Sequence, residues 1–201
     1  VGYWYIAHLF VMTEKEIIKG CIKKERRAQS ALYELYYPLM RNIISRYANQ
    51  HDDKSSLINS GFFKVLKNIK AYDEQFALAT WIRNVVINNC IDEYRKVKNK
   101  ETNVSIEDLE EVPVQLDFNQ GLKNLEEKDL LEILNVLPNM SRKVFNLFAI
   151  DGFKHNEIAE LLSISAGTSR WHLNFARTKL KELITNQLVS TTQMIQIEDE
   201  E

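Results

Sequence analysis

The sequence of residues 157–183 is EIAELLSISAGTSRWHLNFARTKLKEL, a short apolar pattern followed by a turn and a longer apolar pattern. Apolar residues at three- and four-residue spacing predict helices over 154–162 and 166–185. Ser163-Ile164-Ser165 forms the turn between them, and the Ser165 hydroxyl can accept a hydrogen bond from an amide of the second helix. Two helices joined by so tight a turn predict a helix-turn-helix, whose second helix enters the major groove of DNA.

Polar and apolar residues separate on the second of these helices. The apolar side contains residues at steps of three and four, namely Leu173, Ala176, Leu180 and Leu183. The polar side contains cationic and amide residues at similar steps, namely Arg170, Asn174, Arg177 and Lys181. Guanidinium, ammonium and amide groups on one face suit contacts with base edges and phosphates. The alternative is an ordinary helical hairpin with a solvated polar face.

The composition predicts an all-α fold. The chain has 201 residues, of which 45% are hydrophobic and 27% charged, with six glycines and three prolines. Apolar residues occur at helical rather than alternating spacing, which argues against a sandwich, a barrel or a Rossmann sheet. In the first half this spacing predicts helices over 55–70 and 78–98. It also predicts an earlier helix with Leu35 on its apolar face, in which Pro38 causes a kink or begins a new helix.

Charge is distributed unevenly along the chain. Residues 1–100 contain 17 lysines and arginines against 10 acidic residues, whereas residues 101–131 contain two lysines against nine acidic residues. The acidic segment contains Pro113 and no sustained apolar period, which predicts an extended linker. Residues 190–201 contain four acidic residues and no basic ones. A basic module followed by an acidic linker favours a polyanionic partner such as a nucleic acid.

The sequence contains no recognisable catalytic or metal-binding pattern. Cys21 and Cys90 have neither metal-binding nor redox spacing, and the four histidines are scattered without an HExxH motif. We therefore expect no metal, no cofactor, no catalytic residue and no enzymatic activity. Cysteines without such spacing fit a reducing compartment, so we expect a cytoplasmic protein.

Three segments carry a family resemblance. They are LPNMSRKVFNLFAIDGFKHNEIAELLSISAGTSRWHLNFARTKLKELI, ALYELYYPLMRNIISRYANQHDDKSSLINSGFFKVLKNIKAYD and ATWIRNVVINNCIDEYRK. The first resembles the carboxy-terminal domain of bacterial sigma factors of the sigma-70 family, extracytoplasmic-function (ECF) group. The other two are similar to the first domain of that group and to its promoter-melting helix. Two domains in the expected order are more specific than a helix-turn-helix alone.

The resemblance implies two small helical domains joined by an acidic flexible linker. Residues 12–100 would be a region 2 domain that binds core RNA polymerase and the minus-10 promoter element. Residues 123–186 would be a region 4 helix-turn-helix domain that binds the minus-35 element. The linker is then 101–122, and 187–201 are expected to be an acidic disordered tail. Residues 1–11 are expected to be a non-native extension, with a short docked helix or strand as the alternative.

The resemblance also implies which residues contact each partner. The minus-35 element would be contacted by Thr168, Arg170, Trp171, His172, Asn174, Arg177 and Lys181. The minus-10 element would be contacted by Arg83, Asn84, Asn88, Arg95 and Lys96. Core polymerase would be bound by Leu57, Ile58, Asn59, Phe62 and Phe63. Plain packing in the hydrophobic core is the favoured alternative for Phe62. Phe175 stands where many relatives have a basic residue, so it either contacts a thymine methyl group or packs inward.

The sequence therefore predicts a sigma factor that binds core RNA polymerase, directs it to specific promoters and helps melt the minus-10 element. An anti-sigma factor is expected as a further partner, while membrane insertion and a small-molecule substrate are not expected. One alternative is a helix-turn-helix regulator that binds duplex DNA without polymerase. Another is a helical adaptor that does not contact DNA.

Overall fold

A computed structural model of the chain describes residues 12–49, 52–100 and 133–198. Within these ranges the chain forms helices and turns without any β-strand, which confirms the predicted all-α class. The chain divides into two compact units, Val1–Glu101 and Thr102–Glu201. The predicted extension at 1–11 and the predicted linker at 101–122 lie outside the described residues.

The described part of the first unit consists of helices α1 to α4 and a short 3₁₀ turn. The helices are α1 (Glu14–Ile22), α2 (Arg26–Tyr47), α3 (Lys54–Asn68) and α4 (Leu78–Lys100), with the turn at Ile69–Ala71. Helices α2, α3 and α4 pack against one another, and α1 packs on α2. Their shared core contains fully buried aliphatic side chains from all three central helices: Leu32, Met40, Ile43, Ile44, Val65, Ile82, Val86 and Ile87.

Side-chain caps determine where two of these helices begin. The Thr13 hydroxyl accepts a hydrogen bond from the Glu16 amide at 3.3 Å, and the Glu16 carboxylate accepts one from the Thr13 amide at 2.7 Å. This reciprocal capping box satisfies two amides that have no partner within α1. At α3, the Asp53 carboxylate accepts hydrogen bonds from the Ser55 and Ser56 amides at 3.0 and 3.1 Å. A cap of this type stabilises a helix by about 1 kcal/mol.

Helix α2 differs from its sequence prediction at two positions. It continues through Pro38, so of the two alternatives predicted for that residue, a kink or a new helix, the new helix is wrong. Leu35, predicted on the apolar face, is 51% exposed. The buried face of α2 is instead formed by residues such as Leu32, Tyr36 and Met40, spaced four apart. Leu35 lies beyond the edge of that row and therefore faces solvent.

The described part of the second unit consists of a helical turn at 133–136 and three longer helical segments. The first is α5 (Asn139–Phe145), which continues as a π-helical turn at Asn146–Ile150. The others are α6 (His155–Leu162) and α7 (Ala166–Glu198). Helix α7 packs against both α5 and α6. Gly152 separates the π-helical turn from α6 with a φ of 78°, a left-handed conformation that glycine adopts without steric cost.

Helix α7 is longer than the sequence prediction. The helix was expected to end near residue 185 and to be followed by a disordered tail at 187–201. The structure continues it to Glu198, so the predicted tail is wrong as far as that residue. The physical reason is that neither glycine nor proline occurs between residues 168 and 198 to end the helix.

The close approach of α1 and α2 predicts opposite effects for one substitution at two helical glycines. A Cβ atom at Gly20 would overlap the Cβ of Ala28, whereas a Cβ at Gly61 meets its nearest neighbour at 3.6 Å. Gly20→Ala should therefore lower the free energy of unfolding by about 1–3 kcal/mol through overpacking. Gly61→Ala should leave it unchanged or raise it by up to about 1 kcal/mol, since alanine favours helices. Urea unfolding of both variants measures this, and equal effects would contradict the close contact.

Candidate nucleic-acid interface

The turn between α6 and α7 has the geometry that the sequence predicts. Ser163 ends α6 in the left-handed conformation, with a φ of 53°, and the Ile164 amide donates to the Ala159 carbonyl at 3.1 Å. The Thr168 amide donates to the Ser165 hydroxyl at 2.9 Å, which confirms Ser165 as the cap of α7. The predicted turn and cap therefore place α6 and α7 as a helix-turn-helix.

Lys154 limits the cap at the start of α6. The Lys154 amide donates to the Glu157 carboxylate at 2.7 Å, which is one half of a capping box. An ammonium group has no lone pair, so Lys154 cannot supply the acceptor that Ser or Thr supplies at this position. Helix α6 therefore starts with one cap interaction fewer than α1.

The buried face of α7 sets which residues point to solvent. Leu173, Ala176 and Leu180 are buried, as the apolar spacing predicts. Ser169 and His172 are buried on the same side. Residues on the opposite side of α7 therefore face solvent and are available to a partner.

His172 is not on the solvent-facing side of α7, so its prediction as a minus-35 contact is wrong. The side chain is 6% exposed, and its Nδ1 lies 2.9 Å from the Ser141 hydroxyl of α5. The sequence does contain a signal for this position. His172 lies three residues after Ser169 and four before Ala176, which is the spacing of the buried face. A buried histidine with a partner on another helix positions α7 rather than contacting DNA.

The other predicted minus-35 residues lie toward solvent to different degrees. Arg170 and Lys181 are exposed, whereas the remaining four are half-buried, namely Thr168, Trp171, Asn174 and Arg177. The Arg177 guanidinium lies 5.7 Å from the centre of the Phe148 ring. A cation over an aromatic face in this way is held in place by the ring quadrupole.

His155 of α6 lies near two cationic residues of α7, Arg170 and Arg177. The His155 ring stacks on Phe148 at 4.5 Å, and its Nδ1 lies 2.9 Å from the Ser169 hydroxyl. Burial, assisted by the cationic Arg170 and Arg177, lowers the pKa of His155 below its ordinary value. The two guanidinium groups disfavour a positive charge on His155 and create a positive potential that suits phosphate.

The predicted minus-10 residues lie along α4. Asn84, Asn88 and Lys96 are exposed, while Arg83 and Arg95 are half-buried. Lys96 donates to the Glu93 carboxylate at 2.7 Å in an exposed ion pair. Exposed pairs of this kind contribute little free energy, so Lys96 can exchange this partner for another anion.

Asp92 and Asn89 connect α4 to α3, and the sequence did not predict these connections. Lys64 of α3 donates to the Asp92 carboxylate at 2.8 Å, and the Arg95 guanidinium of α4 lies 4.0 Å from the same carboxylate. Asn89 is fully buried, and its Nδ2 donates to the Ser60 hydroxyl at 2.9 Å and to the Leu57 carbonyl at 3.3 Å. A lone buried amide within an apolar run gives no pattern that periodicity can detect.

The surface of α3 contains only part of the predicted polymerase-binding set. Ile58 is 6% exposed and belongs to the hydrophobic core, so its prediction as a polymerase contact is wrong. Phe62 is half-buried and meets the Tyr33 ring edge-on at 4.9 Å, which fits the packing alternative. By contrast, Phe63 is 66% exposed and Asn59 is also exposed. Leu57 is half-buried.

The loop before α4 contains an exposed aromatic residue that no pattern in the sequence singles out. Phe76 faces solvent, and its carbonyl accepts a hydrogen bond from the Tyr72 hydroxyl. The Tyr72 ring lies 5.6 Å from the ring of Trp81, which is half-buried. Trp81 therefore packs against the Tyr72 ring of this loop, and Phe76 is the aromatic side chain of the loop that a base could reach.

Neither a metal centre nor a membrane-spanning helix is found in the described ranges. Among residues 12–49, 52–100 and 133–198, His, Cys, Asp and Glu side chains do not form a group of three that could hold a metal ion. The helices of the same ranges are not both long and apolar enough to cross a membrane.

Two family models match the chain, one on each unit. Sigma-70 region 2 matches residues 32–100, and Sigma-70 region 4 matches residues 127–180. The chain belongs to the sigma-70 family of sigma factors, within its ECF group. The order of the two matches is the order that the sequence predicts.

The similar proteins are sigma factors. The chain is 20% identical to an ECF RNA polymerase sigma-E factor of Haemophilus influenzae, over 88% of this chain and 96% of that protein. It is 24% identical to the RNA polymerase sigma factor SigZ of Bacillus subtilis, over 76% and 85% of the two chains. A solved structure of the sigma factor RpoE with the anti-sigma factor NepR, from Bartonella quintana, is 21% identical. It has a TM-score of 0.49 and covers 78% of this chain and 96% of that chain.

The burial of His172 predicts that it acts on stability. His172→Ala removes a hydrogen bond and leaves a cavity between α5 and α7, so the free energy of unfolding should fall by about 2 kcal/mol or more. Arg170→Ala, on the exposed side of the same helix, should change it by less than about 0.5 kcal/mol. Chemical unfolding of both variants provides the comparison. An unchanged unfolding curve for His172→Ala together with weaker DNA binding would restore the predicted direct contact.

Proposed function

We propose that this sigma factor binds core RNA polymerase, directs it to promoters through α7 and α4, and helps melt the minus-10 element. The observation that carries this proposal is the presence of region 2 and region 4 matches on two separate units, in order along one chain. A helix-turn-helix regulator needs only the second unit. The region 2 match on the first unit therefore favours the sigma factor over that alternative and over the adaptor.

Contact with the minus-35 element is assigned to the exposed side of α7. Arg170 can donate two hydrogen bonds to a guanine, and Asn174 can pair with an adenine through its amide. Lys181 lies farther along the helix, where a point charge suits phosphate rather than a base edge. The cationic surroundings of His155 add attraction for the DNA backbone without sequence preference.

Contact with the minus-10 element is assigned to α4 and the loop before it. Asn84 and Asn88 lie one helical turn apart and both face solvent. Phe76 provides an exposed ring in the preceding loop, on which an unpaired base can stack. Melting requires no bond chemistry, because stronger binding to the unpaired strand than to the duplex shifts the equilibrium toward the open form.

Docking on core polymerase is assigned to the exposed side of α3. Phe63 is the large apolar residue that this helix exposes most, with Asn59 one turn earlier. An exposed aromatic side chain on a helix surface is a frequent anchor of protein–protein interfaces. The lack of acidic side chains at Asn59 and Ser60 makes this docking depend more on apolar contact than on charge.

The remaining assignments follow from the family. We assign the chain to the cytoplasm, where promoter DNA and core polymerase are found. An anti-sigma factor that covers one or both units is the further partner that we expect. The solved relative from Bartonella quintana is bound to such a factor, which supports this expectation.

Reconstitution tests the proposed function directly. Core RNA polymerase from a bacterium is incubated with genomic DNA fragments, with and without this chain, and the 5′ ends of the transcripts are mapped. We expect a set of start sites that require the chain and share sequence elements upstream. A regulator that binds DNA without polymerase would instead bind duplex fragments alone and create no new start sites.

The exposure of Phe63 predicts a loss of polymerase binding without loss of folding. Phe63→Glu should lower the affinity for core polymerase by about tenfold or more, because a charge replaces an apolar anchor. Leu35→Glu is the matched control, since Leu35 is similarly exposed on α2. It should keep both the fold and the affinity. Equal loss in the two variants, or none in Phe63→Glu, would contradict the assigned docking surface.

The two ends of the polar side of α7 should behave differently. Arg170→Ala should lower initiation from promoters with the preferred upstream element by the equivalent of about 1–3 kcal/mol, with little effect on other elements. Lys181→Ala should weaken binding to all elements alike and lower the slope of log affinity against log salt by about one. Initiation from a library of upstream elements measures both. If the two variants affect every element equally, Arg170 holds phosphate only.

A further inference from the structure

We propose that Trp171 and Phe175 of α7 contact the 5-methyl groups of thymines in the upstream promoter element. These apolar contacts would add to the polar contacts of Arg170 and Asn174 and make the preference of α7 partly a preference for thymine. The proposal rests on the proposed binding of α7 to the minus-35 element and specifies which bases that helix recognises.

The two rings form a stacked pair on the surface of α7. Their centres lie 5.3 Å apart and their planes are inclined by 20°. Phe175 is 36% exposed and Trp171 is half-buried. Residues four apart on a helix are neighbours on one face, so the pair forms a continuous apolar strip about one turn long. Phe175 therefore does not pack inward, which was one of the two roles that the sequence left open.

The aromatic strip lies beside the polar residues that are assigned to DNA. Trp171 follows Arg170 and Phe175 follows Asn174, so each ring is rotated by about 100° from its polar neighbour. Both rings nevertheless lie on the solvent-facing side of α7, away from the buried Leu173 and Ala176. The solvent-facing side of α7 is therefore divided lengthwise into a polar edge and an aromatic edge. A major groove about 12 Å wide accepts a whole helix, and both edges can contact bases at once.

The position of the strip is fixed by the interior of the second unit. The Trp171 ring meets the His172 ring edge-on at 4.9 Å, and His172 is hydrogen-bonded to Ser141 of α5. Trp171 is thus held between His172 on one side and Phe175 on the other. Because the two rings already contact each other and His172 in the free protein, we expect DNA binding to cost little additional conformational entropy.

The chemistry of the major groove selects thymine as the target. The methyl group of thymine is the apolar group that a base pair presents there, and the other groups are hydrogen-bond donors and acceptors. An aromatic ring satisfies none of those donors or acceptors, so it favours the base with the methyl group. The exposed cations Arg170 and Lys181 also lie on the solvent-facing side of α7, which suits an anionic partner.

Deoxyuridine provides the test, since it lacks only the 5-methyl group of thymine. Upstream elements are first selected for initiation by core polymerase with the full chain, and each thymine is then replaced by deoxyuridine in turn. For every contacted methyl group we expect about a fourfold loss of promoter affinity, because removing the methyl group removes the burial of one methylene-sized apolar group. The Arg170→Ala protein binds the promoter more weakly from the start, but each deoxyuridine replacement should lower its affinity by the same factor. Phe175→Ala and Trp171→Ala should each be insensitive to replacement of the thymine whose methyl group the missing ring contacts.

The outcomes separate this proposal from the proposed function. Element-specific initiation without any deoxyuridine effect, or from selected elements that lack thymine, overturns the methyl contact alone. A deoxyuridine effect that persists in both aromatic variants also overturns it, because another residue then contacts the methyl group. The absence of any element-specific initiation overturns the proposed function and this inference together. The arm with unchanged protein can overturn the methyl contact even where a variant fails to fold.

Discussion

Buried polar side chains set the rotation of the two helices that we assign to DNA. In the second unit, His172 of α7 lies 2.9 Å from the Ser141 hydroxyl of α5. In the first, Asn89 of α4 donates to Ser60 of α3 at 2.9 Å. An apolar seam tolerates small rotations, whereas a buried hydrogen bond that is broken leaves a polar group without a partner at a cost of about 1–3 kcal/mol. Each bond therefore favours one rotation of its helix about the helix axis, and this rotation determines which residues of the helix are exposed.

This arrangement separates the residues that stabilise each unit from the residues proposed to bind. Asn88 is exposed directly beside the buried Asn89, and Trp171 is on the surface directly beside the buried His172. A neighbouring position on a helix is rotated by about 100°, so one residue holds the helix while the next faces a partner. The exposed residues can therefore change without loss of the fold. Such a division lets one helical scaffold recognise different promoters, and the aromatic strip of α7 is an example.

The sequence predicts the fold class and the two modules because apolar periodicity and caps act locally. Leu173, Ala176 and Leu180 are buried as their spacing indicates, and Ser165 caps α7. The errors concern contacts between elements distant in the chain. The sequence placed His172 with the DNA contacts by resemblance, although its partner Ser141 lies 31 positions away. The resemblance likewise places Ile58 on a partner surface although it lies in the shared core, because burial depends on which helices pack beside it.

We propose that one chain recognises two promoter elements, one through each unit, and that it does so only with polymerase. The most direct measurement is initiation by core polymerase and this chain from a library in which both the upstream and the minus-10 segments are randomised. We expect two separate blocks of preferred sequence, both of which vanish when the chain is omitted. A single upstream block that is equally enriched by duplex binding in the absence of polymerase would contradict it.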